Sequence, residues 1–257
     1  MVGGRRHRPT MGRPYNGAMD TMTPFLETVE HETGPAPRWA VLWLHGLGAD
    51  GHDFAPIVPE LVRPGWPALR FVFPHAPVRA VTVNNGVRMR AWYDIRNFSA
   101  EELGGGDRAD SAGVMESVAQ VEALVAREGE RGIPPERIVL AGFSQGGAIA
   151  LSAGLRRVQP LAGIVALSTY LPMAPQAAQF LQHAALRQPV FMAHGSGDPV
   201  VPLRAGEHSA QVLRSLGFAL EWHAYPMAHS VCAEEIRDLG DWLTQRFAAA
   251  AAATGAG

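Results

Sequence analysis

The chain of 257 residues contains no lysine; all 22 of its basic side chains are arginine. Schiff bases and Walker-type phosphate loops both need a lysine amine, so pyridoxal-phosphate and P-loop chemistry are excluded. Cysteine is almost as scarce. The single Cys232 cannot form an internal disulfide, and the ten histidines make no zinc-ligand spacing with it. Neither a metal nor a cofactor is expected, and Cys232 reads as a small buried hydrophobe. No sign of charge dominates: 24 acidic against 22 basic residues leave a net charge of -2 and no basic face for phosphates. Nucleic acid is therefore not an expected partner. No apolar run approaches the roughly 18 residues of a membrane span. The leader carrying Arg5, Arg6, Arg8 and Arg13 is not followed by the apolar stretch of a signal peptide. These absences point to a cytoplasmic chain with no stable membrane insertion.

What is present suits one well-buried core, since 47% of the residues are hydrophobic. The expected organisation is a disordered tail over 1–22, one domain over 23–248, and a fraying, alanine-rich tail over 249–257. The native start is expected at Met19 or Met22. Short apolar runs at 39–44, 69–73, 137–141, 163–167, 189–193 and 219–225 read as strands. Runs such as Ile138-Val139-Leu140-Ala141 and Ile164-Val165-Ala166-Leu167 are apolar on both faces, as strands under two helical layers must be. Helical spacing is expected over 111–131, 146–156, 176–186, 203–216 and 234–247. The alternation predicts an α/β fold, a mostly parallel central sheet flanked by helices, with chemistry in the loops after strands. A further strand at 25–29 is expected to pair antiparallel with 39–44. The stretch 74–110 carries Trp92, Tyr93 and Phe98, has little helical period, and is expected to pack over the substrate entrance.

The segment His45-Gly46-Leu47-Gly48-Ala49-Asp50-Gly51 contains G-x-G-x-x-G directly after a strand, the position of a dinucleotide fingerprint. Such a site also wants an acidic residue about twenty positions on, and 66–76 contains none, while Pro56 and Pro59 interrupt the helix that would cradle a pyrophosphate. A tight glycine turn accounts for the glycines alone; an oxyanion loop becomes a third reading once a nucleophile is found.

Gly142-Phe143-Ser144-Gln145-Gly146 supplies one. The G-x-S-x-G pentapeptide is weak by itself, but here a strand precedes it and a helix follows, the context of a nucleophile at a sharp turn. The competing reading is that Ser144 merely caps the helix. A serine needs a base and a base needs an orienter, which in this architecture follow in the order acid, then histidine. The downstream carboxylates are Asp198, Glu207, Glu221, Glu234, Glu235, Asp238 and Asp241. Only Asp198 lies in a loop directly after a strong strand. His229 lies between the last strand and the last helix, whereas His183, His194, His208 and His223 fit surface, core or loop-supporting roles. Trp92 and Asp94 fit either substrate contact or packing with a structural hydrogen bond.

The chain resembles, over about 25–247, the bacterial carboxylesterases related to acyl-protein thioesterases and lysophospholipases of the α/β-hydrolase superfamily. The resemblance rests on Leu44 to Asp50, Pro74-His75-Ala76-Pro77, Trp92-Tyr93-Asp94, Gly142 to Gly147, Gly197 to Pro202 and Met227-Ala228-His229-Ser230, in family order. It implies an α/β-hydrolase fold, a triad of Ser144, Asp198 and His229, and an oxyanion hole formed by the backbone N–H groups of Leu47 and Gln145. It also admits a homodimer. The implied activity is hydrolysis of short- to medium-chain aliphatic esters through an acyl-enzyme. The alternative is an acyl-protein thioesterase or lysophospholipase, and a more distant one a non-catalytic ligand-binding protein of the same fold.

Overall fold

The computed structural model describes residues 25–96 and 110–255. The expected tail over 1–22 and the loop 97–107, with Phe98, lie outside them. Seven strands form one sheet: β1 (Thr28–Glu32), β2 (Trp39–Leu44), β3 (Leu69–Pro74), β6 (Ile138–Phe143), β7 (Gly163–Leu167), β8 (Val190–Gly195) and β9 (Leu220–Tyr225). Their spatial order is β1-β3-β2-β6-β7-β8-β9, and every pairing is parallel except β1 with β3.

Period two assigns β2 to both halves of the core. Trp39, Val41 and Trp43 face one helical layer, while Ala40, Leu42 and Leu44 face the other. Behind the first set lie α1 (Val58–Leu61) and the last helix α6 (Ala233–Gly255), contributing Leu61, Leu239, Trp242 and Leu243. Behind the second lie α2 (Ser111–Glu130), α3 (Gln145–Leu155) and α5 (Leu203–Ser215), with Val114, Val118, Val121, Leu151 and Leu213. The stripe Val114, Val118, Val121, Val125 is the buried face of α2, whose first turn is capped where Asp110 accepts the Gly113 N–H at 2.9 Å.

Three expectations change. Strand β1 pairs antiparallel with β3, from Thr28 opposite Pro74 to Glu32 opposite Arg70, and not with β2. Strand β2 has no free edge to offer, since β3 and β6 occupy both sides. The helix expected over 176–186 is only α4 (Ala177–Phe180), with 3₁₀ turns at Ala174–Gln176 and His183–Arg187. The chain turns extended at Leu181, and the Gln182 N–H donates to the Leu155 carbonyl instead of a helical partner. The stretch after Pro74 contains a second, antiparallel sheet, the hairpin of β4 (Val78–Val81) and β5 (Val87–Arg90). Helical backbone in α6 runs to Gly255; alanine has the highest helix propensity.

A buried ionic cluster ties α2 to the β1–β3 edge. Glu128 is fully buried and accepts from Arg70 Nη1 and Arg131 Nη1, each at 2.8 Å. Arg70 and Arg131 in turn reach Glu32 at 2.9 Å and Glu30 at 2.8 Å. Removing Glu128 leaves Arg70 and Arg131 with only their more exposed partners Glu32 and Glu30, so Glu128→Ala is expected to cost about 1.5–3 kcal/mol in urea unfolding. A loss under about 1 kcal/mol would show that water replaces the carboxylate.

Candidate active site

Ser144, Asp198 and His229 each follow the carboxyl end of a parallel strand. Ser144 follows β6 and sits at φ 53°, ψ -120°, a conformation that costs a non-glycine residue about 1–3 kcal/mol. Three bonds hold it there: the Ser144 N–H donates to the Leu167 carbonyl at 2.8 Å, and the Ser144 carbonyl accepts the Thr169 hydroxyl at 2.6 Å and the Ala148 N–H at 3.1 Å. The flanking glycines are steric necessities. A Cβ on Gly146 would stand 2.3 Å from the Leu44 carbonyl oxygen, and one on Gly142 2.4 Å from the Gly146 carbonyl carbon.

Asp198 follows β8, with its carboxylate fully shielded from solvent. Oδ1 accepts the Val200 and Val201 N–H groups at 2.8 and 2.9 Å, leaving Oδ2 to accept from His229 Nδ1 at 2.7 Å. With Nδ1 donating, His229 Nε2 is an acceptor, and it stands 3.0 Å from Ser144 Oγ. The imidazole packs 4.7 Å from the Phe143 ring. His194 is the support for the acid loop that its position suggests: Nε2–H donates to the Val201 carbonyl at 2.8 Å, and burial lowers its basicity.

A cavity of about 270 Å³ opens at this point, lined by Ser144, His229, Leu47, Gln145, Ile95 and Tyr170 among others. Leu47 belongs to the glycine loop after β2, so that loop shares a cavity with Ser144. It leads into a 3₁₀ turn at Ala55–Ile57 and the four-residue α1, not into a long helix that could cradle a pyrophosphate. Gln145 begins α3, where backbone N–H groups have no partner within the helix. Its side chain is engaged: Oε1 accepts the Trp92 N–H at 2.9 Å, and Nε2 donates to the Tyr93 carbonyl at 2.7 Å.

Trp92 and Asp94 take the structural reading. Trp92 is fully buried, and its indole N–H donates to the His45 carbonyl at 2.9 Å. Asp94 accepts from the Thr82 N–H and hydroxyl at 2.7 and 2.6 Å. Several other downstream carboxylates are engaged elsewhere: Asp238 accepts from the Tyr225 hydroxyl at 2.9 Å, Glu221 contacts His223 at 2.7 Å, and Asp241 pairs with Arg63. Sequence reasoning missed Thr169 and the Gln145 clamp. Both act across 25 residues or more, and no local spacing signals them. Cys232 is half-buried rather than buried, and desolvation raises its thiol pKa. Among the described residues no group of three His, Cys, Asp or Glu side chains could hold a metal ion, and no helix is long and apolar enough to cross a membrane.

Glu235, in the first turn of α6 just beyond the His229 loop, is fully buried; desolvation outweighs the Cys232 amide and pushes its carboxyl up to about 8. The folded state therefore keeps a proton that the unfolded chain releases near pH 4.3, and stability falls as pH rises from about 4.3 to about 8. Glu235→Gln is expected to flatten this decline in melting temperature over the same window. An unchanged slope would assign it to other groups.

A hydroxyl bonded to an imidazole, itself held by a buried carboxylate, is an arrangement that can attack an electrophilic carbon as the imidazole takes its proton. With a mostly parallel sheet between helical layers, the chain has the α/β-hydrolase fold. Within that class, residues 27–246 match the phospholipase/carboxylesterase family, and the chain belongs to it. Acyl-protein thioesterase 1 of Neurospora crassa is 40% identical over 213 residues, covering 80% of this chain and 86% of that protein. Acyl-protein thioesterase 1 of Cryptococcus neoformans var. neoformans is 38% identical over 219 residues, covering 80% and 91%. The crystal structure of Arabidopsis thaliana SOBER1 superposes with a TM-score of 0.76 at 31% identity, covering 81% of this chain and 99% of that one. The chain is accordingly a carboxylic ester hydrolase. These relatives are fungal and plant proteins, so they carry the family but not the bacterial placement that the resemblance implied.

Proposed function

We propose that the protein removes acyl groups from thioester or ester linkages, with Ser144 as nucleophile, His229 as general base and Asp198 as its orienter. The observation that carries this reading is the continuous relay Asp198 Oδ2, His229 Nδ1, His229 Nε2, Ser144 Oγ, with steps of 2.7 and 3.0 Å at a cavity wall. In it, Ser144 Oγ attacks the acyl carbon as His229 takes the hydroxyl proton. Asp198 holds the Nδ1–H tautomer and stabilises the imidazolium. The Leu47 and Gln145 N–H groups receive the developing oxyanion, each worth about 10²- to 10³-fold in rate by comparison with other such donors. His229 then protonates the departing alcohol or thiol, and water repeats the sequence on the acyl-enzyme.

Of the two substrate readings, acyl-protein thioesters are favoured over short- to medium-chain aliphatic esters. Two relatives that match four-fifths of the chain are named acyl-protein thioesterase 1. Lysophospholipids present the same acyl carbon with an alcohol leaving group and stay within the proposal, as do a cytoplasmic location and a homodimer. The test compares kcat/KM on p-nitrophenyl esters of increasing acyl length with that on S-acylated cysteine peptides of the same lengths. A long-chain thioester optimum supports the reading. An optimum on short esters, with thioesters slower at every length, returns it to a general carboxylesterase.

A further inference from the structure

We infer that His45 is a positioning residue: its imidazole grips the Gly46–Leu47 peptide so that the Leu47 N–H points into the cavity beside Ser144. The inference rests on the reading of Leu47 as an oxyanion donor given above. His45 opens the glycine motif, and neither the dinucleotide reading nor the tight-turn reading gives it work to do.

His45 is buried, with 1% exposure. Its Nε2 lies 3.0 Å from the Ala76 N–H, which can only donate, so Nε2 accepts. A neutral imidazole then carries its proton on Nδ1, and Nδ1 stands 2.7 Å from the Gly46 carbonyl oxygen. One tautomer satisfies both bonds. Burial favours this neutral form. The Gly46 carbonyl and the Leu47 N–H belong to one planar trans peptide and point in opposite directions. Holding the oxygen therefore aims the hydrogen. The same carbonyl oxygen also accepts the Ala49 N–H, but at 3.3 Å, leaving His45 the shorter partner. The His45 carbonyl is itself held by the Trp92 indole at 2.9 Å. Both ring nitrogens are thus committed to backbone, and the imidazole can influence the reaction only through the peptide it holds.

Two substitutions separate the bonds. In His45→Asn the side-chain amide N–H replaces Nδ1–H and keeps the grip on Gly46 while losing Ala76. In His45→Gln the longer amide reaches the Nε2 position, keeps Ala76 and loses the grip. Each forfeits one buried hydrogen bond, so a purely structural role predicts similar losses in both. Positioning predicts that His45→Gln lowers kcat about 10²-fold at little-changed KM. It also predicts that this variant weakens inhibition by a trifluoromethyl ketone analogue by a similar factor, while His45→Asn stays within about fivefold of the parent in both. Equal losses in the two variants, or a loss carried by KM, would overturn the inference. Should His45→Gln fail to fold, His45→Asn decides, since a folded asparagine variant with kcat down about 10²-fold also overturns it. Ser144→Ala, run alongside, distinguishes the failures. If it retains turnover the triad reading falls, and if it is inactive while the His45 variants behave alike only the positioning role falls.

Discussion

Replacing Ser144 by alanine is expected to lower kcat on esters and acyl thioesters by about 10⁴- to 10⁶-fold, with KM changed no more than a few-fold. The change removes one atom, Oγ, whose one hydrogen bond among the described residues is to His229 at 3.0 Å. His229, Asp198 and the backbone of the turn stay where they are. The Leu167 and Thr169 bonds that hold the turn are made by Ser144 backbone atoms, which alanine keeps. Alanine also meets the same φ of 53° with no worse strain than serine. Melting temperature should therefore shift little, and lost activity can be assigned to lost chemistry. The check is pre-steady-state hydrolysis of a p-nitrophenyl ester in excess over the protein: the parent should release a burst of p-nitrophenol as the acyl-enzyme forms, and the variant none. A variant that keeps a tenth of the activity would place the nucleophile elsewhere.

The parts of the fold legible in the sequence are those whose determinants are local. Strands β2, β6 and β7 announce themselves as unbroken apolar runs because both faces are buried, and the helix after Ser144 as a run of small and apolar residues that is buried throughout. Asp198 and His229 could be proposed as partners of Ser144 because a parallel sheet brings the carboxyl ends of its strands to one edge, whatever their distance along the chain. What failed depends on partners far away. The partner of β1 is decided at the sheet edge, and its mostly exposed, unalternating residues carry no mark of it. The hairpin of β4 and β5 did carry a signal, Asn85 and Gly86 in left-handed conformation between Val-rich segments. Four-residue strands amid arginines are too short to register as a period. Thr169 illustrates the limit. Only the meeting of the β6 and β7 ends brings its hydroxyl to the Ser144 carbonyl, and nothing near position 169 anticipates it.

Asp198→Asn should be nearly as damaging as the loss of Ser144, with kcat about 10⁴-fold lower, although it changes one oxygen to nitrogen. The reason lies in what surrounds the carboxylate. Oδ1 receives two backbone N–H groups, from Val200 and Val201, so an asparagine must turn its carbonyl oxygen toward them. Its amide NH₂ then occupies the Oδ2 position, 2.7 Å from His229 Nδ1, and presents a donor where an acceptor was needed. His229 answers by moving its proton to Nε2, the nitrogen that takes the Ser144 proton in the proposed mechanism. The opposite rotamer restores an acceptor for His229 but sets NH₂ against two amide donors in a site closed to solvent. The Val200 and Val201 amides therefore select the orientation that disables the base. Activity on a p-nitrophenyl ester, together with nitrogen NMR of the His229 ring, tests this directly. The expected result is an Nε2–H tautomer with turnover nearly abolished. Turnover near the parent's with the Nδ1–H tautomer retained would mean that another acceptor orients the imidazole.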